Sequence, residues 1–311
     1  MGNLEVSGVT KTFGDLKAVD EVSFSLEAGD IYGFIGPNGA GKTTTMRVIS
    51  TLDLPDSGDV TVNGFSVLED PRSVRSKLGF MPDSYGSYQA VTIADYLDFF
   101  ARAYGLRGDG RRRAVGQVMD FTSLEPMSGK LTSSLSKGMK QRLCLAKTLL
   151  HDPEVLILDE PASGLDPRAR VEFRELVIAL AEMKKAILVS SHILTELSEI
   201  CTGVAIIEQG RIQASGSVEE VMSKGASLRE VFIRCLADQE KVQRFIAEQP
   251  LHVESASRSR DGVTVQFAGS DDDLAALVAD LVRQGLRPME VRSRSTDLES
   301  LFMDLTEGRV Q

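Results

Sequence analysis

The sequence predicts an α/β protein with a phosphate-loop core and a second, smaller α+β domain behind it. Three observations carry this. Gly36-Pro37-Asn38-Gly39-Ala40-Gly41-Lys42-Thr43 fits G-x-x-x-x-G-K-[ST] and directly follows the apolar run Ile31 to Ile35. A second apolar run, Val155 to Leu158, ends in Asp159-Glu160. Beyond Gly216 such motifs stop, yet patterned elements continue. A chain of 311 residues is long for one ordinary domain and suits two, expected at 1–216 and 217–311.

The elements follow in order. Leu4 to Val9 and Val22 to Leu26 alternate as strands. Ile31 to Ile35 is the strand entering the glycine loop, and Thr43 to Leu52 reads as a helix, with Met46, Ile49 and Ser50 at helical spacing. Val60 to Val62 followed by Asn63-Gly64 signals a hairpin. Leu78 to Met81 is a further short strand, and an antiparallel β subdomain is expected beside the core. A helical insertion is expected over about 84–140. Ile93, Tyr96, Leu97, Phe99 and Phe100 give its first helix a broad apolar face, and a second helix is expected from Arg111 to Phe121. The core resumes with a helix over Gly138 to Leu150, the strand Val155 to Leu158, a helix over Arg168 to Met183 and the strand Ala186 to Val189. Gly203 to Ile207 and Arg211 to Ala214 close it as a hairpin.

The C-terminal part reads strand (Leu228 to Cys235), helix (Gln239 to Gln249), strand (His252 to Ser257), strand (Val263 to Phe267), helix (Asp271 to Arg283), strand (Met289 to Ser293) and helix (Leu298 to Leu305). Val263, Val265 and Phe267 alternate; Leu274, Leu277, Val278 and Leu281 make one helical stripe; Thr296 with Glu299 is a capping box. Strand-helix-strand-strand-helix-strand is the ferredoxin-like order.

Hydrophobic residues at 42% and charged residues at 26% describe a globular chain. The net charge of −10 argues against nucleic acid as a partner, and Arg111-Arg112-Arg113 reads as a solvated loop between helices. Cys144, Cys201 and Cys235 have no metal spacing and are expected as free thiols in a reducing cytoplasm. No stretch approaches the ~18 apolar residues of a membrane span. The N-terminal residues show no signal segment, and Val6 stands where an acylation motif wants Ser or Thr. A cytoplasmic protein is expected, reaching a membrane only through a partner.

The glycine loop lets backbone N–H groups turn inward as a nest for anionic oxygens, and the helix behind it adds its positive end. Lys42 can then reach the β- and γ-phosphates of a nucleotide, and Thr43 can coordinate Mg²⁺. Asp159 closes an apolar strand at the end where parallel sheets bind ligands, and a carboxylate there can hold Mg²⁺. Glu160 can polarise a water for in-line attack.

Leu135-Ser136-Lys137-Gly138-Met139-Lys140-Gln141-Arg142 resembles the signature peptide of ATP-binding-cassette ATPases. Asp159-Glu160-Pro161 resembles the extended Walker B of that family, Ser163-Gly164-Leu165-Asp166 its D-loop and Ser191-His192 its switch histidine. The match runs from about Leu4 to Gly216. The form SKGMKQR and the terminal Asp297-Leu298-Glu299-Ser300-Leu301-Phe302 resemble ATPase subunits of drug- and polysaccharide-type exporters.

The resemblance implies ATP held by Gly36 to Thr44, with Mg²⁺ on Thr43, Asp159 and Asp83. Glu160, His192 and Lys42 would carry the catalysis, and Phe13 would stack on adenine. Ser136 and Gly138 would close on ATP held by a second copy. The implied partners are therefore a second cassette and a polytopic membrane subunit, docked near Tyr85, Tyr88 and Phe99. The alternative is a soluble cassette ATPase acting on ribosomes or DNA, although one cassette and an acidic balance suit it less. Lys137 and Met139 depart from the common signature, and Asp83 stands where the family usually has Gln.

Overall fold

The computed structural model describes residues 3–83, 90–191, 199–225, 229–248, 253–259 and 261–294. It divides into two compact units between Val218 and Glu219.

The first unit starts with a long hairpin, β1 (Leu4–Phe13) and β2 (Leu16–Leu26), closed by Phe13 pairing Leu16. Both strands extend past the alternating ends seen in the sequence. Register shifts between Val6 and Thr12 break the alternation while the ladder continues. Then come β3 (Ile31–Ile35), α1 (Lys42–Ile49), β4 (Ser57–Val62), β5 (Phe65–Ser66), α2 (Pro71–Lys77) and β6 (Leu78–Met81). The turn Asn63-Gly64 pairs Val62 with Phe65, as its sequence asks. The short helix α2 is capped by Asp70, whose carboxylate accepts from the Ser73 N–H, with Pro71 at its first position.

The insert contains α3 (Ile93–Ala103) and α4 (Gly108–Phe121). Ile93, Tyr96 and Leu97 are buried as expected, but Phe99 is 58% exposed. Two residues beyond Leu97 lie about 200° around a helix, on the opposite face. Arg111-Arg112-Arg113 lies within α4 rather than in a loop, and Arg111 pairs with Asp98 at 2.6 Å.

The core resumes with α5 (Lys137–Leu149), β7 (Val155–Leu158), α6 (Pro167–Glu182), β8 (Ala186–Ser191), β9 (Gly203–Glu208) and β10 (Arg211–Ser217), and α7 (Val218–Gly225) follows at the division between the units.

Two sheets result. An antiparallel sheet runs β2-β1-β4-β5, and a second sheet runs β10-β9-β3-β8-β7-β6. In the second, β9, β3, β8, β7 and β6 are parallel neighbours and only β10 is antiparallel. Val155, Ile157, Ala186 and Leu188 face a shared core with α1 and the antiparallel sheet. Their neighbours Leu156, Leu158, Ile187 and Val189 are buried on the other face. Burial on both faces explains why these strands read as continuous apolar runs. Phe24 joins the sheets, stacked on Tyr32 at 5.8 Å and tilted on Phe34 at 5.4 Å.

The second unit is β11 (Arg229–Cys235), α8 (Gln239–Ala247), β12 (Val253–Arg258), β13 (Val263–Phe267), α9 (Asp271–Arg283) and β14 (Pro288–Arg294). Its sheet runs β12-β13-β11-β14 with every pair antiparallel. Val231, Ile233, Val263, Val265 and Phe267 pack on Val242, Ile246, Leu277 and Leu281. Ser270 and Asp273 form a reciprocal capping box at α9. The expected helix Leu298 to Leu305 and the Thr296–Glu299 box lie outside the described residues, as does His252.

Candidate active site

β3 delivers the chain from the sheet centre to the glycine loop, and α1 leaves it. A methyl built on Gly36 would collide with the Ile207 carbonyl, so the loop passes directly over β9. Gly41 has φ 104° and faces the Ala18 carbonyl; it is both left-handed and crowded. Gly41 also caps α1 without a side chain, which leaves the first turn's N–H groups to an anionic ligand. Thr45 Oγ1 donates to the Gly41 carbonyl at 2.9 Å and fixes the loop to the helix.

Lys42 is buried, and its Nζ donates to the carbonyls of Gly36 at 2.7 Å and Pro37 at 3.1 Å. Burial pushes its pKa below the usual lysine value, while the carboxylates of Glu160 and Asp159 act in the opposite sense. A desolvated ammonium near two carboxylates gains from an incoming polyphosphate.

The opposite wall comes from the ends of β6, β7 and β8. Asp159, one residue past β7, is 2% exposed. Its backbone N–H donates to the Met81 carbonyl at 2.9 Å, and its Oδ1 accepts from Ser190 Oγ at 2.7 Å. The same Ser190 oxygen accepts from the Glu160 N–H at 2.8 Å. Glu160 has φ 47°, a conformation that non-glycine residues seldom adopt and that clusters at functional sites.

These walls enclose a cleft of about 510 Å³. Phe13, Leu16 and Ala18 line it from the β1–β2 hairpin, Asn38, Gly39, Gly41, Lys42, Thr43 and Thr44 from the loop and α1, and Asp83, Glu160 and Ser163 from the opposite wall. Gly36 and Pro37 serve through carbonyls held by Lys42, and Ala40 is buried in the loop. Asp159 is buried rather than on the lining.

Ser136 and Gly138 do not line this cleft. Ser136 caps α5, accepting from the Met139 N–H at 3.3 Å, and a methyl on Gly138 would approach Ala169 at 3.0 Å. Lys137 lies against Gly164, so the signature peptide and the D-loop touch within one chain. His192, Tyr85 and Tyr88 lie outside the described residues.

The residue that sequence reading passed over is Ser190. Its only signal is a polar pair, Ser190-Ser191, ending the apolar run of β8. Leu16 and Ala18 are likewise unmarked, lying in β2 ahead of the Val22 to Leu26 run that alternates in the sequence.

Among the described residues, no group of three or more His, Cys, Asp or Glu side chains could hold a metal ion. Among them, too, no helix is long and apolar enough to cross a membrane.

The ABC transporter family description matches residues 19–163. The bacitracin transport ATP-binding protein BcrA of Bacillus licheniformis is 32% identical over 98% of this chain and 97% of its own length. The probable multidrug ABC transporter ATP-binding protein YbhF of Escherichia coli is 34% identical over 76% of this chain, which spans only 42% of YbhF. A solved ATP-binding subunit of an ABC transporter superposes with TM-score 0.65 at 29% identity, covering 71% of this chain and 92% of that one.

Proposed function

The chain belongs to the ABC transporter family, and from that premise we propose that it is the ATP-binding and ATP-hydrolysing motor of a membrane exporter. It works as a pair of cassettes on separate membrane-spanning subunits, at the cytoplasmic face of the membrane. The observation that carries this reading is the cleft, which gathers Lys42, Thr43, Asp83 and Glu160 in one chain while Ser136 and Gly138 stand outside it. An ATP held here is thus left open on one side, where the signature peptide of a second copy can close.

The residues fit the nucleotide and its cation. Lys42 and the N-terminus of α1 take the phosphates, and Phe13 offers its half-exposed ring to the base. The Thr43 hydroxyl and the Asp159 and Asp83 carboxylates are the hard oxygens that would hold Mg²⁺. When bound, that ion offsets charge developing on the transferred phosphoryl group. Glu160 takes the proton of the attacking water, and His192 contacts the γ-phosphate.

The unit from Glu219 onwards shows no catalytic motif among its described residues and serves to regulate or stabilise the assembly. The named relatives are bacitracin and multidrug transport proteins, which favours export over a ribosome- or DNA-directed role.

Replacing Glu160 with Gln should leave ATP binding intact, lower turnover by ~10²-fold or more and trap an ATP-bound dimer. In fractionation, the chain should reach membranes only when its polytopic partner is co-expressed. Near-normal hydrolysis by the Gln variant defeats the base assignment, and co-sedimentation with ribosomes in both fractionations defeats the exporter reading.

A further inference from the structure

The tip of the β1–β2 hairpin is held in a way that the reaction itself does not require. Phe13 is 50% exposed at the end of β1, beside a turn in which Gly14 has φ 59°. An exposed ring on a hairpin tip would ordinarily sample many positions. Here Lys11 Nζ lies 5.5 Å from the Phe13 ring centroid, within cation–π range. Lys11 is itself held by Asp56, Nζ to Oδ1 at 3.0 Å. The other Asp56 oxygen accepts from the Thr12 N–H at 2.6 Å, and the Asp56 N–H donates to the Thr10 carbonyl at 2.8 Å. Asp56 therefore fixes the backbone on both sides of Lys11, Thr10 through its main-chain N–H and Thr12 through its carboxylate, and the same carboxylate holds the ammonium over the ring. The Lys11 hydrogen bond, with the Thr12 backbone N–H behind it, holds the Asp56 carboxyl below its usual pKa.

Phe13 lines the nucleotide cleft and Lys11 does not. A cation over one face of the ring leaves the other face free for a ligand ring. We propose that Lys11 and Asp56 are positioning residues for the nucleotide base: they brace Phe13 so that one of its faces is fixed towards the cleft. The inference rests on the reading of Phe13 as the base platform. Neither residue lines the cleft with the glycine loop, so their contribution belongs to the base end of the nucleotide alone.

The test uses the full-length chain and measures KM and kcat for ATP together with inhibition by inorganic tripolyphosphate, which has no base. Lys11→Met and Asp56→Asn should each raise KM for ATP about 3–10-fold. Both should keep kcat within about twofold and leave the tripolyphosphate inhibition constant unchanged, because uniform binding is what is lost. Lys11→Arg, which keeps a cation over the ring, should restore most of the parent KM. Phe13→Ala should raise KM at least as much. Should Phe13→Ala raise KM while Lys11→Met and Asp56→Asn leave it at the parent value, the brace is wrong and the base platform stands. Should Phe13→Ala leave KM unchanged, the platform reading and the brace both go. Weaker tripolyphosphate inhibition in Lys11→Met would assign Lys11 to the phosphates and overturn the proposal.

Discussion

The hydroxyl of Ser190 donates to Asp159 Oδ1 across 2.7 Å in a fully buried position, and through that contact β8 sets the side-chain direction of the carboxylate that follows β7. Because the same oxygen takes the Glu160 N–H, one side chain orients both acidic residues.

Ser190→Ala removes both hydrogen bonds at once. It should destabilise the first unit by about 1–3 kcal/mol, the cost of leaving buried polar groups unpaired. Turnover should fall about tenfold or more through misplacement of Glu160, with ATP binding far less affected. Thermal melting and steady-state hydrolysis check the two halves separately. A variant that melts lower yet hydrolyses at the parent rate would confine Ser190 to stability.

His151 gives the fold an acid-sensitive joint. Its ring stacks on Tyr104 at 4.1 Å, between the insert and the core, and Nε2 lies 3.1 Å from the Leu78 carbonyl. Burial lowers its pKa from 6.5, with the Leu78 hydrogen bond and Asp152 acting in the opposite sense and Lys185 adding to the lowering. The folded chain therefore binds fewer protons than the unfolded one below about pH 6.5, and stability declines as pH falls from there towards the folded pKa. His151→Phe keeps a ring against Tyr104 and removes the titration. Its melting temperature should drop less than the parent's between about pH 7.5 and 5.5. Other acid-sensitive pairs are common to both proteins, so identical pH profiles would show that His151 contributes nothing.

Asp83 lines the cleft at a position where the family usually carries Gln. A carboxylate there adds negative charge beside the phosphates while offering oxygens to Mg²⁺. Asp83→Gln should keep or raise ATPase activity, and Asp83→Ala should lower turnover or its coupling to transport. Two variants indistinguishable from the parent in both assays would make Asp83 a bystander.

The fold is legible in the sequence where one physical signal dominates. β3, β6, β7, β13 and α9 have the bounds that their apolar runs and stripes announce, because a doubly buried strand or a clean 3.6-residue stripe admits few alternatives. β1 and β2 were cut short because their bulged middle interrupts the period of two. α2 is hard to see in the sequence because seven residues with one buried side chain, Val74, leave no stripe, although Asp70-Pro71 carries a start signal. Phe99 is apolar but stands at the wrong angle for the buried face of α3. In the site, Lys42, Thr43 and Glu160 were legible because a motif fixes their spacing along the chain. Ser190 was not, since its partners lie 31 and 30 residues away and meet it only through the pairing of β7 with β8. Lys11 and Asp56, 45 residues apart, were invisible for the same reason.

The crowding around the glycine loop also bears on how this protein could escape an inhibitor. Gly36 abuts the Ile207 carbonyl and Gly41 the Ala18 carbonyl, and both obstacles are main chain, which no single substitution elsewhere removes. A compound whose contacts are confined to the loop backbone would present no side chain for selection to alter. Resistance would have to arise at the hairpin or opposite wall, so drug pressure would shift variation towards Phe13, Leu16 and Ser163 and leave the loop unchanged.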